Sequence, residues 1–157
     1  MAKDKKEKKE KSEKIEKTEE VATESAPIEL SPIAHPLAES ALTKKVLKTI
    51  KKATKAKNVK RGVKEVVKGL RKGSKGLVVI AGDISPIDVI THLPVLCEDN
   101  KVPYIYVPSK EELGSAGSTK RPTSCVLVLD KTDKEYKELY DEVLKEVKPL
   151  NERLITA

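Results

Sequence analysis

Four side chains that could support chemistry lie within a short stretch of the sequence: Asp83, Asp88, His92 and Cys97. Asp88 and His92 are four residues apart, so on one helix they would share a face and could form an acid–base couple or two metal ligands. The structural alternative is an Asp88 that caps a helix beside a half-buried His92.

Nothing else in the sequence completes a catalytic or metal site around these residues. The second histidine, His35, lies in a proline-rich stretch, and no further carboxylate cluster supplies ligands. The phosphate-binding glycine motifs and the nucleophile elbow G-x-S-x-G are missing from the sequence. We therefore predict no catalytic residue, no metal ligand and no cofactor, and we expect the protein not to be an enzyme.

The charge of the chain is concentrated in one segment. The 157 residues carry 32 Lys+Arg and 25 Asp+Glu, a net charge of +7. Residues 44–75 hold 14 basic residues and one acid, Glu65, a net charge of +13. Like charges at i,i+4 repel and weaken helices, so this segment is better explained by a polyanionic partner than by a solvated helix face.

Composition also divides the chain and excludes some protein classes. Residues 1–20 mix eight lysines with seven acids, too little apolar surface to offset the entropy of ordering. No stretch approaches about 18 apolar residues, so we expect no membrane span, and the N-terminus has no apolar run typical of a signal peptide. Cys97 and Cys125 lie outside any C-x-x-C pair, which favours a reducing compartment. We predict four segments: a disordered tail 1–26, a proline-containing strap 27–42, one folded domain 43–148 and a C-terminal tail 149–157.

Apolar periodicity predicts strands that alternate with helices. Thr43 is predicted to cap a first helix, and a second helix is predicted to follow Gly62 and end at Gly73. Ser85 is predicted to cap a helix that Pro94 interrupts, and Ser109 to cap a short one through Glu112. The remaining predicted elements are strands at 76–82, 102–107 and 124–129, a flexible loop at 114–122 and a terminal helix at 133–147. This alternation predicts an α/β fold around one central sheet.

The most promising binding feature is the start of the helix after Gly62. The free N–H groups and the positive dipole end of a helix N-terminus favour a phosphate, and lysines and an arginine surround this one. Base stacking has less support, because the chain lacks Phe and Trp. Tyr104 and Tyr106 share a face of one strand and could imitate a stacking platform, or could simply pack under helices.

Four sequence stretches resemble a known family of RNA-binding proteins. They are R-G-V-K-E-V-V-K-G-L-R-K-G, I-A-G-D-I-S-P-I-D-V-I-T-H-L-P-V-L-C-E-D, V-P-Y-I-Y-V-P-S-K and L-G-S-A-G-S-T-K-R-P-T-S-C, which occur in this order between residues 41 and 129. Together they resemble the kink-turn RNA-binding superfamily of ribosomal and small ribonucleoprotein subunits. Within it, G-V-K-E-V-V-K and T-K-R-P-T-S-C are most similar to the Nhp2-type core subunits of eukaryotic H/ACA small nucleolar ribonucleoproteins.

The resemblance implies a fold and a binding site. The fold would be a single-domain three-layer α/β/α sandwich with a central mixed sheet. The site would lie at a helix start with the family pattern G-x-N-E-x-x-K, which Gly62, Glu65 and Lys68 match, opposite a loop near the end of the domain. Lys64 stands at the Asn position and Ser85 at the position of a family carboxylate, and both departures predict more positive charge and less base readout. The predicted RNA-binding residues are Lys57, Lys60, Arg61, Gly62, Lys64, Glu65, Lys68, Lys120, Arg121 and Pro122.

The resemblance also implies a function and partners. We expect a non-catalytic subunit that binds an H/ACA guide RNA and supports pseudouridylation and processing of ribosomal and spliceosomal RNA in the nucleus and nucleolus. The implied protein partners are a pseudouridine synthase catalytic subunit and a Nop10-type small bridging subunit, with no membrane. The alternatives are a kink-turn-binding subunit of box C/D or spliceosomal particles, a ribosomal protein and, from a different class, a small hydrolase or metal enzyme.

Overall fold

The computed structural model describes residues 29–130 and 134–156. The predicted tail 1–26 and the predicted helix start at Asp133 lie outside these ranges. In chain order the elements are α1 (Ser40–Lys55), β1 (Val59–Arg61), α2 (Val63–Arg71), β2 (Gly76–Ala81), a 3-10 turn (Ile87–Val89), α3 (His92–Asp99), β3 (Tyr104–Val107), α4 (Lys110–Ala116), β4 (Cys125–Leu129) and α5 (Lys134–Thr156). No helix in the described ranges is long and apolar enough to cross a bilayer.

The four strands form one mixed sheet in the order β1-β4-β2-β3. β2 and β3 pair in parallel, and β4 is antiparallel to both of its neighbours, β1 and β2. β2 is buried along its whole length, as expected for a β-branched run covered on both faces. The predicted α/β fold with a mixed sheet is therefore confirmed.

Helices cover both faces of the sheet, and alternate strand residues supply two separate cores. One core packs α1, α4 and α5 against side chains such as Val79, Ile105 and Val126. The other packs α2 and α3 against the opposite face, with Ile80 and Leu127 among its sheet residues. The result is three layers, α/β/α.

Residues 29–39 run along the open edge of the sheet. The N–H of Tyr106, on the edge strand β3, donates to the carbonyl of Pro36 at 2.9 Å, and the N–H of Ala38 donates to the carbonyl of Tyr106 at 2.8 Å. The N–H of Ser31 donates to the carbonyl of Gly82 at 2.7 Å. This segment therefore occupies backbone groups that an exposed edge strand would leave unpaired.

Helix boundaries differ from the sequence predictions at both ends of the domain. α1 begins at Ser40, before Thr43, and α5 continues through Pro149 to Thr156. Leu150 still packs against the core that contains Val147, so burial continues past the proline. The division of the chain into tail, strap, domain and C-terminal tail stays a prediction.

Two predicted features between the strands are wrong in detail. The helix predicted from Ser85 is only the 3-10 turn, and α3 begins at His92 with Pro94 in its first turn, where a missing N–H costs no helical hydrogen bond. The loop predicted from Gly114 starts later, because α4 continues to Ala116.

Candidate nucleic-acid interface

The start of α2 lies beside the loop that precedes β4. The antiparallel register pairs Arg61 with Val126, and the N–H of Gly62 donates to the carbonyl of Cys125 at 2.9 Å. Residues 117–124 lead directly into Cys125, so the strand pairing brings this loop next to the helix N-terminus. We call residues 117–124 the opposing loop.

The turn into α2 depends on one glycine and one carboxylate. Gly62 is the N-cap with φ +85°, a conformation that side-chain-bearing residues rarely adopt. Glu65 Oε2 accepts a hydrogen bond from the N–H of Arg61 at 3.3 Å, close to a capping box. Lys64 and Lys68 are exposed, one turn apart on the same side of the helix. A phosphate at this N-terminus would meet a positive dipole end flanked by two ammonium groups.

The opposing loop is held against α4 by backbone contacts. The N–H of Thr119 donates to the carbonyl of Gly114 at 3.1 Å, and the N–H of Thr123 donates to that of Lys110 at 3.2 Å. A Cβ on Gly114 would lie 2.3 Å from the carbonyl oxygen of Arg121, so only glycine allows this approach. The predicted site residues of the loop, Lys120, Arg121 and Pro122, are all exposed.

Arg61 links the two halves of the candidate site. Its guanidinium donates a hydrogen bond to the carbonyl of Gly117, at the end of α4. The carboxylate of Glu65 holds the N–H of the same residue. One arginine therefore fixes the position of the opposing loop relative to the start of α2.

Two further predicted residues, Lys57 and Lys60, lie away from this centre. Lys60 and Arg61 are neighbours on β1, so their side chains point to opposite faces of the sheet. Nζ of Lys60 lies 3.3 Å from the hydroxyl of Ser74, beyond the C-terminal end of α2. Its side chain crosses α2 at Gly69, where a Cβ would lie 3.0 Å from Nζ. Lys57 is exposed at the α1–β1 turn with φ +57°. The structure therefore places Arg61 and Gly62 against the opposing loop, with Lys64, Glu65 and Lys68 on the adjoining turns of α2, but directs Lys60 elsewhere.

The turn after β2 lies at the same end of the sheet as the opposing loop. The N–H of Ala81 donates to the carbonyl of Ser124 at 2.9 Å, which places the end of β2 beside the opposing loop. Ser85 and Asp88, further along this turn, are exposed. Ser85, the residue at the position of the family carboxylate, is thus free to face a ligand as a neutral hydroxyl.

The residues considered for catalysis are not brought together. Asp83 accepts a hydrogen bond from the N–H of Lys110 at 2.9 Å and so caps α4. Asp88 lies in the 3-10 turn and His92 begins α3, so they do not share a helix. Cys97 is buried, and burial raises the pKa of its thiol to about 12. Within the described ranges, no three His, Cys, Asp or Glu side chains group closely enough to hold a metal ion.

Tyr104 and Tyr106 are core residues, so the stacking-platform hypothesis is wrong and the packed strand is confirmed. Both are buried, with their rings in an edge-to-face contact at 6.4 Å. The hydroxyl of Tyr104 donates to Glu98 Oε1 at 3.0 Å. Burial raises the pKa of Tyr106 to about 12.

Residues 44–138 match the model of the ribosomal protein L7Ae/L30e/S12e/Gadd45 family. The chain belongs to this family. The matched residues include the start of α2, the opposing loop and all four strands of the sheet.

Several relatives with high identity to the chain are named after a subunit of the H/ACA ribonucleoprotein complex. The chain is 54% identical over 123 residues to "H/ACA ribonucleoprotein complex subunit 2" of Bos taurus, covering 78% of this chain and 79% of that protein. It is 53% identical over 132 residues to "H/ACA ribonucleoprotein complex subunit 2-like protein" of Arabidopsis thaliana, covering 78% and 85%. The predicted resemblance to Nhp2-type H/ACA subunits is therefore confirmed.

A solved structure of an RNA-binding protein supports the fold. The Giardia lamblia 15.5kD RNA binding protein aligns with a TM-score of 0.72 and 32% identity, covering 77% of this chain and 99% of that one. The similarity extends over nearly the whole of that RNA-binding protein.

Proposed function

We propose that this protein is a non-catalytic RNA-binding core subunit of the H/ACA ribonucleoprotein. It binds guide RNA and supports pseudouridylation and processing of ribosomal and spliceosomal RNA. The observation that carries the proposal is the pairing of the α2 N-terminus with the opposing loop, joined by the Arg61–Gly117 hydrogen bond. The names of the mammalian and plant relatives, as H/ACA subunits, support it.

In this proposal the α2 N-terminus and the opposing loop contact a bend in the RNA from opposite sides. Phosphates bind the N-terminus of α2 together with Lys64 and Lys68, because helix dipole and ammonium charge both favour an anion there. Lys120 and Arg121, on the opposing loop, contact the RNA backbone. Backbone contacts of this kind position RNA without selecting sequence.

Base recognition in this site has few contributors. Lys64 can only donate hydrogen bonds, whereas the family's asparagine at that position both donates and accepts. Glu65 uses Oε2 for the N–H of Arg61, which leaves Oε1 to accept from a base edge. We therefore expect the site to bind bent or looped stems with only moderate selectivity for a strict kink-turn.

The proposed protein partners are a pseudouridine synthase catalytic subunit and a Nop10-type bridging subunit, within the nucleus and nucleolus. The relatives' names, as subunits of a complex, support assembly with other proteins. The surface of α3 suits a protein contact better than RNA. Val95 is 60% exposed there, next to the exposed acids Glu98 and Asp99.

The alternative that keeps specific support is a strict kink-turn subunit, since Gly62, Glu65 and Lys68 match the family pattern G-x-N-E-x-x-K. A titration of wild type and Lys64→Asn on kinked and unkinked stem-loops separates the two. A strict reader would gain preference for the kinked stem by tenfold or more, the scale of a bidentate base contact. In our proposal Lys64 contacts phosphate, so the same change weakens binding to both RNAs by similar, smaller factors.

The particle itself is tested by mass spectrometry of proteins that co-purify with the tagged full-length chain from its own cells. We expect a pseudouridine synthase and a small bridging subunit, together with H/ACA RNA. Recovery of box C/D methylation proteins instead would refute the proposed particle. Recovery of intact ribosomal subunits alone would favour a ribosomal protein.

A further inference from the structure

The exposed face of α1 is made of lysines that belong to no site described so far. Lys44, Lys48, Lys51 and Lys55 are exposed and follow one another at spacings of four, three and four residues. At about 100° per residue these four lie within an arc of about 60° on the helix. We call them the α1 lysine stripe.

The charge of the stripe is not offset within the described part of the protein. A neighbouring residue, Lys45, faces α5 and its Nζ lies 3.0 Å from Glu142 and 2.7 Å from Glu146. The stripe lysines form no ion pair with any residue that the structure describes. Like charges at i,i+4 repel each other and weaken a helix. The stripe therefore lowers the stability of α1, and a bound polyanion would offset that cost.

The stripe ends beside the proposed RNA site. Its last member, Lys55, follows Thr54, whose hydroxyl donates to the carbonyl of Ala116 at 3.5 Å. The next residue, Gly117, is the acceptor for Arg61 and the first residue of the opposing loop. From Lys44 to Lys55 the stripe extends about 16 Å along the helix axis, at a rise of about 1.5 Å per residue.

We propose that the α1 lysine stripe binds phosphates of the same RNA, beyond the bend held by the α2 N-terminus and the opposing loop. The inference rests on the proposed function. Lysine ammonium groups on flexible stems act as point charges that suit phosphate without reading sequence. No aromatic or amide side chain lies on the exposed face of α1, so the stripe fixes the direction of the RNA stem and adds affinity only.

The test compares two variants with the same change in net charge. One replaces all four stripe lysines by glutamine; the control replaces Lys101, Lys137, Lys145 and Lys148, which are also exposed. Glutamine is nearly as good a helix former as lysine, and the stripe variant loses repulsion, so α1 should remain folded. Thermal melts of the full-length proteins check this.

Each protein is titrated, over a salt series, with a short stem-loop and with the same stem extended by about one helical turn. On the extended RNA the stripe variant should bind at least tenfold more weakly. Its log–log salt slope should become shallower by about 3, from four lost contacts at about 0.7–0.9 each. On the short RNA it should stay within about threefold of wild type, and the control variant should follow wild type on both.

Three other results would overturn the inference. Equal losses in the stripe and control variants would mean a general charge effect. Unchanged RNA binding, with loss of co-purifying subunits in the stripe variant alone, would assign the stripe to an acidic protein partner instead. Failure of the wild type to bind either RNA would reject the proposed function, and with it the stripe as an extension of that site.

Discussion

The guanidinium of Arg61 donates a hydrogen bond to the carbonyl of Gly117, 56 residues further along the chain. A Cβ on Gly117 would lie 3.1 Å from Cδ of Arg61, so the arginine stem lies directly against the end of α4. Through this contact, the spacing between the α2 N-terminus and the opposing loop is set by a side chain that itself carries positive charge. Arg61 is thus both a positioning residue and a candidate phosphate ligand.

Arg61→Lys should separate these two roles. The variant keeps the positive charge but loses the planar guanidinium that donates to the carbonyl of Gly117. We expect RNA affinity to fall about fivefold or more with the log–log salt slope unchanged, as measured by titration at several salt concentrations. Arg71→Lys, at the exposed far end of α2, is the matched control and should bind like wild type. Wild-type affinity in Arg61→Lys would show that the residue contributes charge alone.

The part of the site that sequence could predict is the start of α2. Val63, Val66 and Leu70 recur with helical spacing after an Arg-Gly turn, and this pattern placed the helix correctly. The side-chain directions around it were not predictable. They depend on β1, a strand of only three residues with one apolar side chain, whose pairing with β4 sets which way each residue points. No local periodicity reveals so short a strand.

The role of Gly114 was also missed, although the glycine itself was a signal. The sequence prediction assigned it to a flexible loop, whereas it lies within α4 and allows the carbonyl of Arg121 to approach. Glycine is a poor helix former, so a glycine pair around Ser115 and Ala116 favours a loop by propensity. The tertiary contact with the opposing loop overrides that preference.

Gly114→Ala should therefore displace the opposing loop. The added Cβ would lie 2.3 Å from a backbone oxygen, which cannot move without shifting the loop. We expect the free energy of unfolding to fall by about 1–3 kcal/mol, the range for overpacking, and RNA affinity to fall with it. Gly117→Ala is the control for stability, because its closest contact would be the flexible Arg61 stem at 3.1 Å and the nearest backbone oxygen would lie 3.4 Å away. Urea unfolding compares the two variants, RNA titration follows Gly114→Ala, and equal losses of stability in both variants would contradict this account.

The two buried thiols predict how stability depends on pH. Burial raises the pKa of both Cys97 and Cys125 from 9.0 to about 12. Because the folded state disfavours the thiolate, the stabilisation is complete below pH 9 and is lost as pH rises toward 12. Each thiol should reduce the free energy of unfolding by about 1 kcal/mol at pH 10 relative to neutral pH.

Urea unfolding between pH 7 and 10.5 measures this slope. The control is the double variant Cys97→Ala/Cys125→Ala, which should show a shallower slope whatever its absolute stability. The tyrosines still contribute above pH 9, since burial also raises the pKa of Tyr106 to about 12. If the double variant and wild type lose stability in parallel, the thiols are not responsible.

Lys60 and Lys64 offer the sharpest test of which surface faces RNA, because each loses one positive charge when changed to glutamine. Lys64 is exposed on the first turn of α2, whereas Nζ of Lys60 lies 3.3 Å from Ser74 Oγ beyond the helix's other end. Lys64→Gln should weaken RNA binding and reduce the log–log salt slope by about 0.7–0.9, with stability unchanged. Lys60→Gln should leave the slope unchanged but cost about 0.5–1.5 kcal/mol of unfolding free energy, from the lost hydrogen bond to Ser74. The opposite pattern, with Lys60 controlling the salt slope and Lys64 silent, would move the RNA to the other face of β1 and reject the α2 N-terminus as its binding site.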